Sequence, residues 1–221
     1  MLRLESLADE KNAEGMRRYG IAGSRVLGIR IPVLRAIARE MGKKNSRLAQ
    51  ELWDSHVHEA QILSTMIDDP GKVDEPLMES RVNDFDSWDL CDQCIMNLFE
   101  NTPYAWAKAC EWADREEEFV RRAGFVLMAR LAVSDKEAHD DRFTSFFPFM
   151  IRYANDKRNY VKKAVNWALR QIGKRSAMLN GPALSCARNI LALDTPPARW
   201  IARDAIRELE SDAVRKRLDL P

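Results

Sequence analysis

Nine residues concentrate the groups in this sequence best suited to chemistry: Asp84-Phe-Asp-Ser-Trp-Asp-Leu-Cys-Asp92. Four carboxylates and an indole stand there, at the head of an apolar helical run. Trp88 and Asp92 are four positions apart, so on a helix they share one face, one turn from each other. A flat π surface beside a carboxylate suits an electron-poor or cationic group. The same residues also make a good helix start. Asp86 or Ser87 can close the first turn, with Trp88 packing as a hydrophobic staple. Asp86, Ser87 and Asp89 are the expected capping residues, which leaves Trp88 and Asp92 as the pair available for chemistry.

Other chemistry has weaker support. Cys91 and Cys94 form a C-x-x-C, a spacing used by redox and zinc sites. No βαβ pattern surrounds it, no second C-x-x-C follows, and only His56, His58 and His139 could complete a metal shell. Cys91, Cys94, Cys110 and Cys186 are therefore expected to be free thiols, Cys91 and Cys94 packed in the core. On a helix Asp84, Asp86, Asp89 and Asp92 do not converge on one point, so no metal site is expected. Arg17, Arg18, Arg25 and Arg30 stand with Tyr19 around a glycine-containing loop that could hold phosphate. Its Gly20-x-x-Gly23 lacks the Lys-[Ser/Thr] of a P-loop. No Ser, His and Asp spacing suggests a nucleophilic triad.

A second concentration of charge runs from Arg152 to Arg175. Arg152, Lys157, Arg158, Lys162, Lys163, Arg170, Lys174 and Arg175 stand against a single acid, Asp156. Lys163, Trp167 and Arg170 fall at i, i+4 and i+7, one helical face. A tryptophan flanked by cations on a polar face fits a polyanion, although a solvated helix face has the same composition.

The elements that must hold these groups are all helical. Apolar residues recur at three and four spacing between Pro, Gly and Asx breaks, and no stretch alternates as a strand does. The segment up to Gly20 is short and polar, and Ile21–Pro32 reads as a loop. Helices are expected from Pro32, from a Ser46 cap through Trp53, from His56 to Asp69, from Lys72 to Asp84 and from Asp86 to Glu100. Further helices run from Pro103, over Phe119–Ser134, over Glu137–Asn155 with a bend at Pro148, from Arg158 to Lys174, over Ala183–Leu193 and from Pro197 to Glu210, with a short tail beyond. Val120-Arg-Arg-Ala123 reappears as Val161-Lys-Lys-Ala164, 41 positions on, and the same step takes Ala164-Val165 to Ala205-Ile206. A period near 40 in an all-helical chain predicts stacked helix pairs. The expected fold is an all-α, HEAT-like or armadillo-type solenoid of antiparallel helix pairs, a single domain over residues 1–221. Corresponding repeats would set Arg121 and Arg122 beside Lys163 and Arg170 on a concave basic face.

Composition agrees with a helix-rich globular chain: 46% of the 221 residues are hydrophobic and 31% charged. The formal net charge of +1 means that any attraction to nucleic acid must come from local clustering. No run approaches the roughly 18 apolar residues of a membrane span, and Met-Leu-Arg-Leu-Glu-Ser carries charge too early for a secretory leader. The expectation is a cytoplasmic protein with no membrane partner.

In several patches the chain resembles the AlkD-type DNA alkylation-repair glycosylases, which are built of HEAT-like repeats. The likeness lies in Tyr19 with Gly28-Ile-Arg-Ile-Pro32, Ser87-Trp-Asp-Leu-Cys-Asp92, Phe119-Val-Arg-Arg-Ala123 and Val161-Lys-Lys-Ala-Val-Asn-Trp-Ala-Leu-Arg170. These patches keep the family's order over residues from about 16 to 175. The resemblance implies that Trp88 and Trp167 flank a lesion-bearing nucleotide, that Asp92 is the catalytic carboxylate, that Arg122 contacts DNA and that Tyr19 lines the cleft. It implies excision of positively charged N3- and N7-alkylpurines from double-stranded DNA by a monomer, with no cofactor and no tight pocket for the base. The chain departs from the pattern at Ser87, where well-studied members have a second tryptophan, and over Arg81–Asp86. The alternative expectation is a non-catalytic HEAT-repeat module that binds nucleic acid or protein.

Overall fold

The computed structural model describes residues 1–21 and 25–220. Gly23, and with it the Gly20-x-x-Gly23 spacing, lies outside the described residues. The described chain is helical, without a strand, and divides into two compact units, residues 1–104 and 105–221.

The first unit holds α1 (Leu2–Glu5), α2 (Glu10–Arg18), α3 (Ile31–Met41), α4 (Ser46–Trp53), α5 (His58–Ile67), α6 (Glu75–Asn83) and α7 (Trp88–Asn97). Its centre is α5, whose residues are buried all round except Met66. Its polar side chains are accommodated by hydrogen bonds, Ser64 and Thr65 donating to the carbonyls of Gln61 and Ile62, and α3, α4 and α7 pack against it. Arg81 of α6 is buried as well. Its Nη1 donates to Asp68, just beyond α5, at 2.8 Å, and its guanidinium lies 4.9 Å from the Trp53 ring centroid. Removing either partner would strand a buried charge, so this pair fixes α6 against the end of α5.

The second unit holds α8 (Ala105–Ala113), α9 (Glu118–Ser134), α10 (Asp141–Thr144), α11 (Phe147–Tyr153), α12 (Asn159–Gly173), α13 (Ala177–Ala192), α14 (Pro196–Leu209) and α15 (Asp212–Leu218). The repeat has a direct physical meaning here. α12 packs against α9 on one side and α14 on another, while α8, α11 and α13 pack on α9, α12 and α14 in turn. The repeated positions are the contact points: Val120, Val161 and Ala202, then Ala123, Ala164 and Ala205, are all buried.

Several boundaries differ from those expected. Asn45, not Ser46, caps α4, its side chain accepting from the Leu48 N–H. Glu137–Asn155 is two short helices, not one bent helix, and Pro148 lies in the first turn of α11. There the missing N–H forfeits no helical bond. α13 starts at Ala177 because Ser176 caps it, and Pro182 falls within it. The tail is the helix α15, capped by Ser211.

Gly124 lets α8 and α9 touch backbone to backbone. A Cβ there would stand 2.3 Å from the Ala113 nitrogen and 2.9 Å from the Ala109 oxygen. Gly124→Ala is therefore expected to destabilise the protein by about 2–3 kcal/mol through overpacking, despite alanine's better helix propensity. Urea denaturation checks this, and an unchanged midpoint would contradict the close approach.

Candidate active site

Ser87 takes extended angles (φ −150°, ψ 155°), so α7 opens at Trp88 and carries Trp88 and Asp92 within one helix. The neighbouring polar groups are not used as caps in the way expected. The Ser87 hydroxyl makes no cap bond and is buried without a hydrogen-bond partner among the described residues. Asp84 accepts from the Trp53 Nε1 at 2.8 Å, and Asp86 is exposed. Asp89 turns towards α5, where its Oδ2 lies 2.9 Å from His58 Nε2. Asp92 is 8% exposed.

The indole of Trp88 is held in orientation. Its Nε1 donates to the Tyr19 carbonyl at 3.0 Å, while the Tyr19 side chain is exposed. Trp88, Asp89 and Gln93 of α7 line a cavity of about 640 Å³ together with Tyr19, Met16, the loop before α3, and His58, Glu59 and Ile62 of α5. Asp92 does not line it.

Two consecutive residues at the start of α5 shape this cavity. Glu59 is fully buried, and its carboxylate accepts the backbone N–H groups of Leu27 (2.8 Å), Gly28 (2.6 Å) and Ile29 (3.2 Å). The loop passes so close to α2 that a Cβ on Gly28 would stand 2.1 Å from the Asp9 oxygen, and φ there is +80°. Only glycine meets both demands. His58, one position earlier, holds α7 through Asp89. Sequence reasoning overlooked Glu59 and His58 as site-building groups and counted Asp89 as a cap. The available signal was a pair of ionisable residues, His58 and Glu59, opening a helix that has no other ionisable residue.

In the second unit Trp167 is half-buried on α12. Lys163, one turn earlier, is exposed and makes no ion pair among the described residues. The arginines are engaged within the unit. Arg170 Nη1 meets Asp204 at 3.2 Å and Glu208 at 2.6 Å, and Lys174 also bonds Glu208. Arg121 pairs with Asp156 at 3.0 Å and lies 4.2 Å from the Tyr153 ring centroid. Arg122 is 6% exposed and donates to the Tyr160 carbonyl at 2.7 Å. Burial alone would raise the Asp156 pKa, yet Arg158 and Arg121 hold it below the ordinary carboxylate value. Within the basic stretch, Arg170 and Lys174 thus face acids of α14, Arg158 faces Asp156, and Arg152 and Arg175 pair with Asp114 and Asp140.

Metal and redox readings find no support in the cysteines. Cys91, Cys94 and Cys186 are buried free thiols and Cys110 is half-buried. Burial pushes Cys186 up to about 12 and Cys94 higher still, so neither supplies a thiolate near neutral pH. No group of three His, Cys, Asp or Glu among the described residues is placed to hold a metal ion. No helix among them is long and apolar enough to cross a membrane.

Comparison with known proteins adds the family. The DNA alkylation repair enzyme family matches residues 1–209. The chain belongs to that family. A solved structure aligns over 100% of this chain and 94% of its own with a TM-score of 0.80 and 18% sequence identity. It is described as one of "a new family of proteins related to the HEAT-like repeat DNA glycosylases with affinity for branched DNA structures". At that identity the likeness establishes the all-α, HEAT-like fold. No curated protein matches the sequence.

The His58 imidazole offers a direct check on the site's electrostatics. Its burial favours the neutral form, but Asp89, with Glu59 and Asp86 beyond, raises its pKa above 6.5 overall. A raised pKa means that the imidazolium stabilises the fold fully below about 6.5 and that this contribution is lost as pH rises through the folded value. An NMR titration is expected to show His58 titrating above 6.5, and Asp89→Asn to lower it. A wild-type value at or below 6.5 would contradict the pairing.

Proposed function

We propose that this protein is a monofunctional DNA N-glycosylase that removes N3- and N7-alkylated purines from duplex DNA. The observation that carries the reading is the seating of Trp88 and Asp92 on one face of α7 in a chain of the DNA alkylation repair enzyme family. Alkylation at these nitrogens makes the base cationic and a good leaving group. The C1′–N bond breaks, its electron pair leaves with the base and neutralises it, and the deoxyribose gains oxocarbenium character. Asp92, 8% exposed, stabilises that charge more strongly than a solvated carboxylate would. Water adds at C1′ and its proton passes to Asp92 or solvent, leaving a free base and an abasic site. Trp88 offers its π face to the cation.

Duplex binding falls first to Lys163, whose ammonium is exposed. Arg170 must exchange Asp204 and Glu208 for phosphate, so its net gain is smaller. Arg121 and Arg122, held by Asp156 and the Tyr160 carbonyl, act more by shaping the unit than by reaching outward. Phosphate contacts of this kind position DNA without reading its sequence and weaken steeply with salt. A second reading, DNA binding without excision, is favoured by the solved structure described as having affinity for branched DNA.

Release of 7-methylguanine from methylated duplex DNA separates the two. The wild type is expected to release it, and Asp92→Asn to be slower by about a hundredfold, or about 2.7 kcal/mol of barrier. No release by the wild type, or equal rates for both proteins, would overturn the glycosylase reading.

A further inference from the structure

A second groove in the first unit lies at the end of α7 opposite Trp88. One wall is the C-terminal half of α3, the other is the end of α7 with the turn that follows, and the end of α5 lies between them. Its volume is about 670 Å³, within the roughly 300–1,000 Å³ range of binding clefts. Neither Trp88 nor Asp92 lines it, and the excision mechanism makes no use of it.

The α3 wall is cationic. Arg35 and Arg39 are one turn apart, about 6 Å along the helix axis, and Lys43 follows just past the helix end. All three are exposed and make no ion pair among the described residues. That sets them apart from Arg121, Arg170 and Lys174 of the second unit, which are paired within it. Glu100 is the single acid among the residues lining the groove. The rest of the groove has the opposite character. Met66 is the one residue of α5 that is not buried, and it lines this groove together with the part-exposed Met96 of α7. Thioether side chains are flexible and polarizable, and they adapt to apolar partners.

We propose that this groove docks an extended segment of a partner protein in which acidic and apolar residues alternate. In an extended chain alternate side chains share one side and recur about every 6.6 Å, close to the step from Arg35 to Arg39. Carboxylates at alternate positions meet the α3 cations in register, each arginine fork able to take one by two parallel hydrogen bonds. The intervening apolar side chains turn towards Met66 and Met96. A nucleic-acid backbone would satisfy the same cations but would leave the thioethers without an apolar partner. Segments of this composition are disordered alone and order on binding. The site does not depend on the glycosylase reading.

Calorimetric titration of the full chain with a capped Gly-Asp-Leu-Asp-Leu-Asp-Gly peptide tests this. Saturable one-to-one binding that weakens with added salt is expected. Arg35→Glu combined with Arg39→Glu changes two exposed side chains and is checked for folding by circular dichroism. It is expected to weaken binding about tenfold or more, because like charges then face each other. A Gly-Asp-Ser-Asp-Ser-Asp-Gly peptide carries the same charge without the apolar residues and is also expected to bind about tenfold more weakly. Absence of saturable wild-type binding at millimolar peptide, or unchanged affinity in the folded double variant, overturns the site. Equal affinity for the two peptides overturns the apolar half of the recognition. A wild type that binds single-stranded oligothymidylate but not the peptide, and loses the oligonucleotide in the double variant, assigns these cations to nucleic acid and overturns the proposal.

Discussion

The buried carboxylate of Glu59 is the interaction on which the first unit's site depends. It accepts three consecutive backbone N–H groups from the loop before α3. A loop crossing a protein interior carries donors that neither helix nor sheet can satisfy. A carboxylate is the side chain best able to take several of them, because its two oxygens offer multiple lone pairs and its charge strengthens each bond. The loop so fixed passes against α2 at Gly28 and then feeds Pro32 into the first turn of α3. One residue earlier, His58 takes hold of Asp89 and thereby of α7. The opening turn of α5 sets both the loop and the helix that carries Trp88 and Asp92.

That arrangement explains why some of the site was legible in the sequence. The shared helix of Trp88 and Asp92 was readable because a four-residue spacing has one meaning on a helix, and the start of α7 was off by only two residues. The 41-residue step was readable because each repeat buries the same alanine against its neighbour. What could not be read was the destination of charges whose partners lie far away in the chain. Asp89 looked like a cap because a carboxylate in a first turn usually is one; its partner is 31 positions distant. The stretch from Arg152 to Arg175 looked like a basic wall because only Asp156 lies within it. Asp204 and Glu208, 34 and 38 positions beyond Arg170, become visible only when α14 packs on α12.

The same packing changes how the second unit should be regarded. Neutralised arginines make a rigid frame, since bonds such as Arg122 to the Tyr160 carbonyl and Arg175 to Asp140 tie successive repeats together. Lys163 is exposed and makes no ion pair among the described residues, so it can meet phosphate without losing an internal partner. A chain with a net charge near zero can still bind a polyanion on these terms, but through few contacts, and affinity for DNA should depend on a small number of side chains.

Amide hydrogen exchange tests most directly whether Glu59 holds the site. If it does, the Leu27, Gly28 and Ile29 amides are protected in the wild type. In Glu59→Gln, whose amide loses the charge and brings a donor among donors, they exchange about ten- to a hundredfold faster, as expected for lost charge-assisted bonds of about 1.5–3 kcal/mol, while α12 amides keep their rates. Unchanged protection of the three amides in Glu59→Gln would contradict the account.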